Sequence, residues 1–207
     1  MMKRMGILGL AMTALAAAAL FAGAGHGQEA AAADAPQFTA KGELVFPQDY
    51  RRWVFLTSGH GMNYSEQAAG ASDLPFDNVF VNATAHAAFL KTGHWPEGTV
   101  MVLEIRRGSS KGSINRHGAF QSGAPIGLEV HVRDCKRFKD GWGFFGFDDA
   151  SKPAAMIGYA ASCYACHQAH AAVDTSFVQF YPTLLPVARE KDTLSAAYRA
   201  EEAGKGG

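Results

Sequence analysis

Cysteine is scarce in this chain, with three residues in 207, and an odd number cannot all pair within one molecule. Net charge is missing too: 19 lysines and arginines stand against 19 aspartates and glutamates. That balance gives no electrostatic case for binding nucleic acid or an anionic membrane surface. Internal repeats and disordered, charge-rich tracts are absent as well. What remains is an ordinary globular composition, 48% apolar and 18% charged, in a chain long enough for one domain with a real core.

The N-terminal text, MMKRMGILGLAMTALAAAALFAGAGHGQ, carries Lys3 and Arg4, an apolar run through Phe21 and the small residues Ala22-Gly23-Ala24. This pattern predicts a secretory signal over residues 1–27, cleaved between Ala24 and Gly27, with an uncleaved anchor as the alternative. Loss of Lys3 and Arg4 takes 19 basic residues to 17 against 19 acidic, a mature charge of −2. Export in a bacterium places the mature protein in the periplasm. Residues 28–40 read as a tether, 41–202 as the folded domain and 203–207 as a flexible tail.

Within the domain, a short helix is expected around Asp49 to Phe55, then a strand at Val79 to Val81. Asn82 reads as an N-cap and Gly93 as a stop for the following helix. TVMVLEIR predicts a strand with Met101, Leu103 and Ile105 on one face and Val100, Val102 and Glu104 on the other. In GLEVHVRD, Leu128, Val130 and Val132 read as inward and Glu129, His131 and Arg133 as outward. WGFFGF, Trp142 to Phe147, is a third strand, and LLPVAREKDTLSAAYRAEE a last helix. The sum is an α+β fold, a predominantly antiparallel sheet with flanking helices mainly on one side.

The helical C-terminal segment contains Cys163-Tyr164-Ala165-Cys166-His167, a C-x-x-C-H pentapeptide. Two thiols one turn apart can add to the two vinyl groups of a porphyrin, and the adjacent histidine can ligate its iron; this is the attachment pattern of haem c. A structural zinc site would need a second ligand pair, and only His170 follows. A thioredoxin-like motif would need a βαβ context, which the element order lacks. A plain disulfide between Cys163 and Cys166 is the remaining alternative. Cys135 reads as a small half-buried residue.

An electron-transfer cytochrome commonly adds a downstream methionine as second axial ligand, and no methionine follows Met156. Met62, Met101 and Met156 are conceivable ligands that read more simply as core. An open sixth position on the iron is the expectation.

KGELVFPQDYRRW, NVFVN, KTGHWPEGTVMVLEIRR, IGLEVHVRD, WGFFGF and CYACHQAHAAVDTSFVQFYPTL follow one another from Lys41 to Leu185. In that order they resemble the cytochrome P-460 family. The resemblance implies a mostly antiparallel β fold, a homodimer, and one covalent haem whose five-coordinate iron, the metal site, is carried by His167. Cys163 and Cys166 would hold the porphyrin. In one branch of the family a lysine also links to the porphyrin edge and the iron oxidises hydroxylamine. In the other, cytochrome c′-beta, the link is absent and an apolar pocket binds nitric oxide or carbon monoxide. The linking lysine of the family falls on the strand directly before a glutamate, and here Leu103 precedes Glu104. Lys91 and Lys111 are the nearest lysines and read as surface residues. The polar distal position, an arginine in the family, falls near Asp77.

The resemblance therefore implies a haem protein that binds nitric oxide or another small nitrogen oxide or diatomic ligand. A hydroxylamine-oxidising or peroxidase-like enzyme, served by a redox partner protein, is the second expectation, and an electron-transfer cytochrome the third. Candidates for the distal pocket are Leu103, Met101, Phe76 and Phe80; Glu104 and Asp77 are candidates for proton transfer. His60, His86, His94, His117 and His131 have no ligand spacing to a partner, and His170 reads as a surface residue near the motif.

Overall fold

Alternation along five segments produces five antiparallel strands in sequential order: β1 Val54–His60, β2 Phe76–Val81, β3 Val100–Ser109, β4 Phe120–Arg133 and β5 Trp142–Gly146. The structure, a computed structural model, describes residues 34–62 and 74–204; the expected signal lies outside the described residues. Among the described residues four α-helices complete it: α1 Ala83–Thr92, α2 Ser162–His170, α3 Leu185–Glu190 and α4 Ala196–Gly204. None of the described helices is long and apolar enough to cross a membrane.

Period-two alternation divides the sheet's residues between two cores. One face carries Val100, Val102, Val130, Val132, Phe145 and Phe147, packed under Leu44, Phe46 and Tyr50 of the lead-in. The other carries Val81, Met101, Trp142 and Phe144 and meets Phe89 of α1, Leu184, Ala188 of α3 and Tyr198 of α4. Phe89 and Phe145 are wholly withdrawn from solvent, each contributing about 1.5–3 kcal/mol by burial. The α+β architecture with helices on one face is as the sequence predicts.

Five details differ. Residues Asp49 to Phe55 form only a 3-10 turn, Tyr50–Arg52, before β1 begins at Val54. Val54 and Phe55 favour the pleated surface offered by Val81 and Phe80 of β2, and this pairing overrides the local helical signal. Asn82 does not cap α1 with its side chain. Its Nδ2 donates to the Gly98 carbonyl and its Oδ1 accepts the Val100 N–H at 2.9 Å, tying the helix start to β3. The exposed N–H of Thr84 is taken by Asp34 Oδ2 at 3.2 Å, and Phe38 packs against Phe138 and Phe145. Residues 34–40 are therefore docked on the domain, not a free tether. Finally, the expected last helix is two: Asp192, with φ of 58°, breaks it, and Ser195 Oγ accepts the Tyr198 N–H to start α4.

The fifth difference concerns β4. Leu128, Val130 and Val132 do point into one core, but Glu129 and His131 on the opposite face line an internal cavity. Alternation identifies two faces; it does not say that a helical layer covers the polar one.

Candidate functional site

Cys163, Cys166 and His167 stand at i, i+3 and i+4 on α2, the spacing that puts side chains on one helix face. All three line a single cavity of about 570 Å³ between α2 and the sheet, a volume within the range of cofactor sites. Both cysteines are half-buried free thiols. The sheet wall comprises Thr57 and Gly59 of β1, Asp77 and Val79 of β2, Met101, Leu103 and Ile105 of β3, and Glu129 and His131 of β4. Phe177, Phe180 and Tyr181, just after the motif, close another side.

His167 is oriented by its surroundings. Its Nδ1–H donates to the Thr175 carbonyl at 2.8 Å, which leaves Nε2 as the nitrogen with a free lone pair. Phe177 packs at 4.2 Å between ring centroids, Phe144 at 4.8 Å and His131 at 5.0 Å. Burial lowers its pKa, and the Thr175 hydrogen bond only partly offsets that, so the ring is held neutral, as a metal ligand must be. His131 stacks on Phe144 at 4.0 Å, and burial, with a smaller electrostatic contribution from the neighbouring His167 ring, pushes its pKa down to about 3.

Two carboxyls share the cavity. Burial raises the pKa of Asp77; burial and then the Asp77 charge raise that of Glu129. A carboxyl whose folded pKa exceeds its unfolded one stabilises the fold fully below the unfolded pKa and loses that contribution as pH rises through the folded value. Glu129→Gln removes the loss. Thermal unfolding at about pH 4 and about pH 7 should therefore show the variant gaining on the parent at the higher pH, and a gap that narrows with rising pH would refute this assignment.

The remaining sequence candidates separate by strand periodicity. Leu103 and Met101 line the cavity, as do Asp77 and Met62. Phe76 and Phe80 do not: because Asp77 and Val79 take the cavity face of β2, these two point to the other side. There Phe76 stacks on His60 at 4.3 Å and Phe80 packs edge-on to Tyr50 and Phe55. Glu104 also lies on that far face, 3% exposed, where it accepts from Tyr50, Arg51, Arg106 and Asn78. It is an anchoring ion, not a cavity acid. Met156 packs in the far core, His94 pairs with Asp174, and His170 faces Glu201 at 3.8 Å. Among the described residues no lysine lines the cavity; Lys91 and Lys111 are surface-exposed.

Sequence reasoning missed Glu129 and His131. The signal was available in the pairing: His131 lies opposite Met101 and Glu129 opposite Leu103, both on the face assigned to the cofactor.

A scan against protein-family models matches residues 47–178 to Cytochrome P460. The chain belongs to the cytochrome P460 family. No curated protein matches it. Membership makes haem the cofactor class of this cytochrome P460 chain, and the cavity fits such a group. It offers two thiols and a neutral imidazole with a free Nε2 on one wall, and mainly apolar side chains around them.

Proposed function

We propose that this cytochrome P460 family member is a periplasmic monohaem c-type protein that binds nitric oxide, or another small nitrogen oxide or diatomic gas, at a five-coordinate iron. Cys163 and Cys166 would hold the porphyrin through thioethers and His167 Nε2 would hold the iron. The haem would supply an iron with one position free for a small ligand.

The observation that carries this reading is Leu103 on the cavity wall, flanked by Met101, Ile105 and Val79. The resemblance puts it in the place of the linking lysine; it has no amine to join a porphyrin edge, and with its neighbours it makes an apolar patch suited to weakly polar ligands. The resemblance supports a homodimer, and the signal pattern at residues 1–27 supports the periplasm.

A second reading rests on Asp77 and Glu129. Carboxyls with raised pKa values in the cavity are suited to take protons from an N–H or O–H substrate such as hydroxylamine, with a redox partner protein accepting the electrons. Met62 and Met101 place thioethers on the same cavity, which favours electron transfer as a third.

Two measurements on the haem-loaded protein separate these readings. Titration of the ferrous form with nitric oxide is expected to give one saturating spectral change, while hydroxylamine with an artificial acceptor gives no sustained turnover. Turnover that disappears in Asp77→Asn or Glu129→Gln would establish the enzyme reading instead.

A further inference from the structure

Val173 and Ser176 bridge to one another, and the two residues between them, Asp174 and Thr175, have φ of 46° and 56°. Positive φ at both central positions is the signature of a type I′ turn, which favours asparagine or aspartate first and glycine second. Asp174 fits. Thr175 does not, because a β-branched residue in the left-handed region is strained. Such strain persists only where the surroundings over-determine the backbone.

The restraint comes from Asp174. One carboxylate oxygen accepts the backbone N–H of Trp95 at 2.9 Å, and the Nδ1–H of His94 lies 3.1 and 3.2 Å from the two oxygens. Trp95 is 2% exposed, packs on Phe89 at 4.3 Å, and donates its indole N–H to Ser176 Oγ at 2.7 Å. The turn is thus pinned at both ends to a buried part of the core. Its product is the Thr175 carbonyl, the acceptor for His167 Nδ1–H.

We propose that Asp174 is a positioning residue: by clamping the strained turn to His94 and Trp95 it holds the Thr175 carbonyl against His167 and so sets how strongly His167 donates to iron. The inference rests on His167 being the haem ligand. A firm hydrogen bond at Nδ1 makes the imidazole more basic and electron-rich, which favours the ferric state. A loosened turn weakens that bond.

Three variants of the haem-loaded protein test it. Asp174→Gly keeps the freedom for positive φ but has no carboxylate, so strain is separated from clamping. It should shift the ferric–ferrous equilibrium at least about threefold toward ferrous, about 30 mV upward for one electron, and lower the iron–histidine stretching frequency. Asp174→Asn, whose amide oxygen can still accept from Trp95, should restore both. If Asp174→Gly does not accumulate, His94→Ala carries the test; that imidazole is 55% exposed, and its loss should give a smaller shift in the same direction. Unchanged potential and frequency in these variants would overturn the inference, as would an Asn variant shifted as far as Gly, which would indicate a charge effect. Absence of an iron–histidine band from the parent ferrous protein would overturn the underlying assignment of a five-coordinate iron held by His167 instead.

Discussion

Alanine at both Cys163 and Cys166 should abolish haem that remains on the polypeptide after denaturation. The two thiols lie one helical turn apart, face the same cavity and precede the histidine whose Nε2 is free. Each single variant keeps one thiol, so covalent haem should persist at reduced yield. Haem staining of denaturing gels reads all three proteins side by side. Staining retained in the double variant would remove thioether attachment from the account. Cys135 provides the control: it is exposed, lies beside Gly141 with its backbone N–H bound by Glu97, and is outside the cavity, so Cys135→Ala should stain like the parent.

Glu104→Ala should cost about 3 kcal/mol or more of unfolding free energy, the range for breaking a buried ion pair from one side. The carboxylate is 3% exposed and serves Tyr50, Arg51, Arg106 and Asn78 together. Arg51 is half exposed and regains water when the partner is lost; Arg106, 17% exposed, and the buried Tyr50 hydroxyl regain far less. Most of the penalty therefore falls on those two groups. Burial alone would raise the pKa of Glu104, but the hydrogen bonds and charges of Arg106, Tyr50 and Arg51 outweigh it and hold the pKa below the ordinary glutamate value. A depressed carboxyl stabilises above its unfolded pKa and loses that contribution as pH falls through its folded pKa. The variant's deficit should accordingly shrink in acid, opposite in sense to Glu129→Gln. Denaturant unfolding across this pH range measures both, and a deficit under about 1 kcal/mol at neutral pH would mean that the network is a solvated surface cluster.

The contrast between Glu104 and Glu129 shows how far the sequence can be read. Period two on β3 correctly separated Leu103 from Glu104, so the wall facing the cavity followed from the text. The same rule on β4 separated Glu129 and His131 from the valines, yet their destination depended on α2 and the segment after it, more than 30 residues downstream in the chain. Polar character suggested solvent, and only the tertiary layer turned that face inward. Phe76 and Phe80 failed for the converse reason: aromatic residues suit a pocket or a core equally, and the phase of β2 decides between them. The C-x-x-C-H pentapeptide falls on one helical turn facing the cavity, an arrangement its local spacing already implies. The turn that orients its histidine was not legible, since no local signal marks Thr175 for a left-handed conformation.

On the proposed reading, what the iron does depends on whether a side-chain amine reaches the porphyrin, and the family resemblance puts Leu103 where that amine would originate. The absorption spectrum of the ferrous, haem-loaded protein tests this most directly. An ordinary high-spin c-type Soret band is expected, unshifted by any further link to the ring. A ferrous Soret band displaced strongly to the red would contradict it.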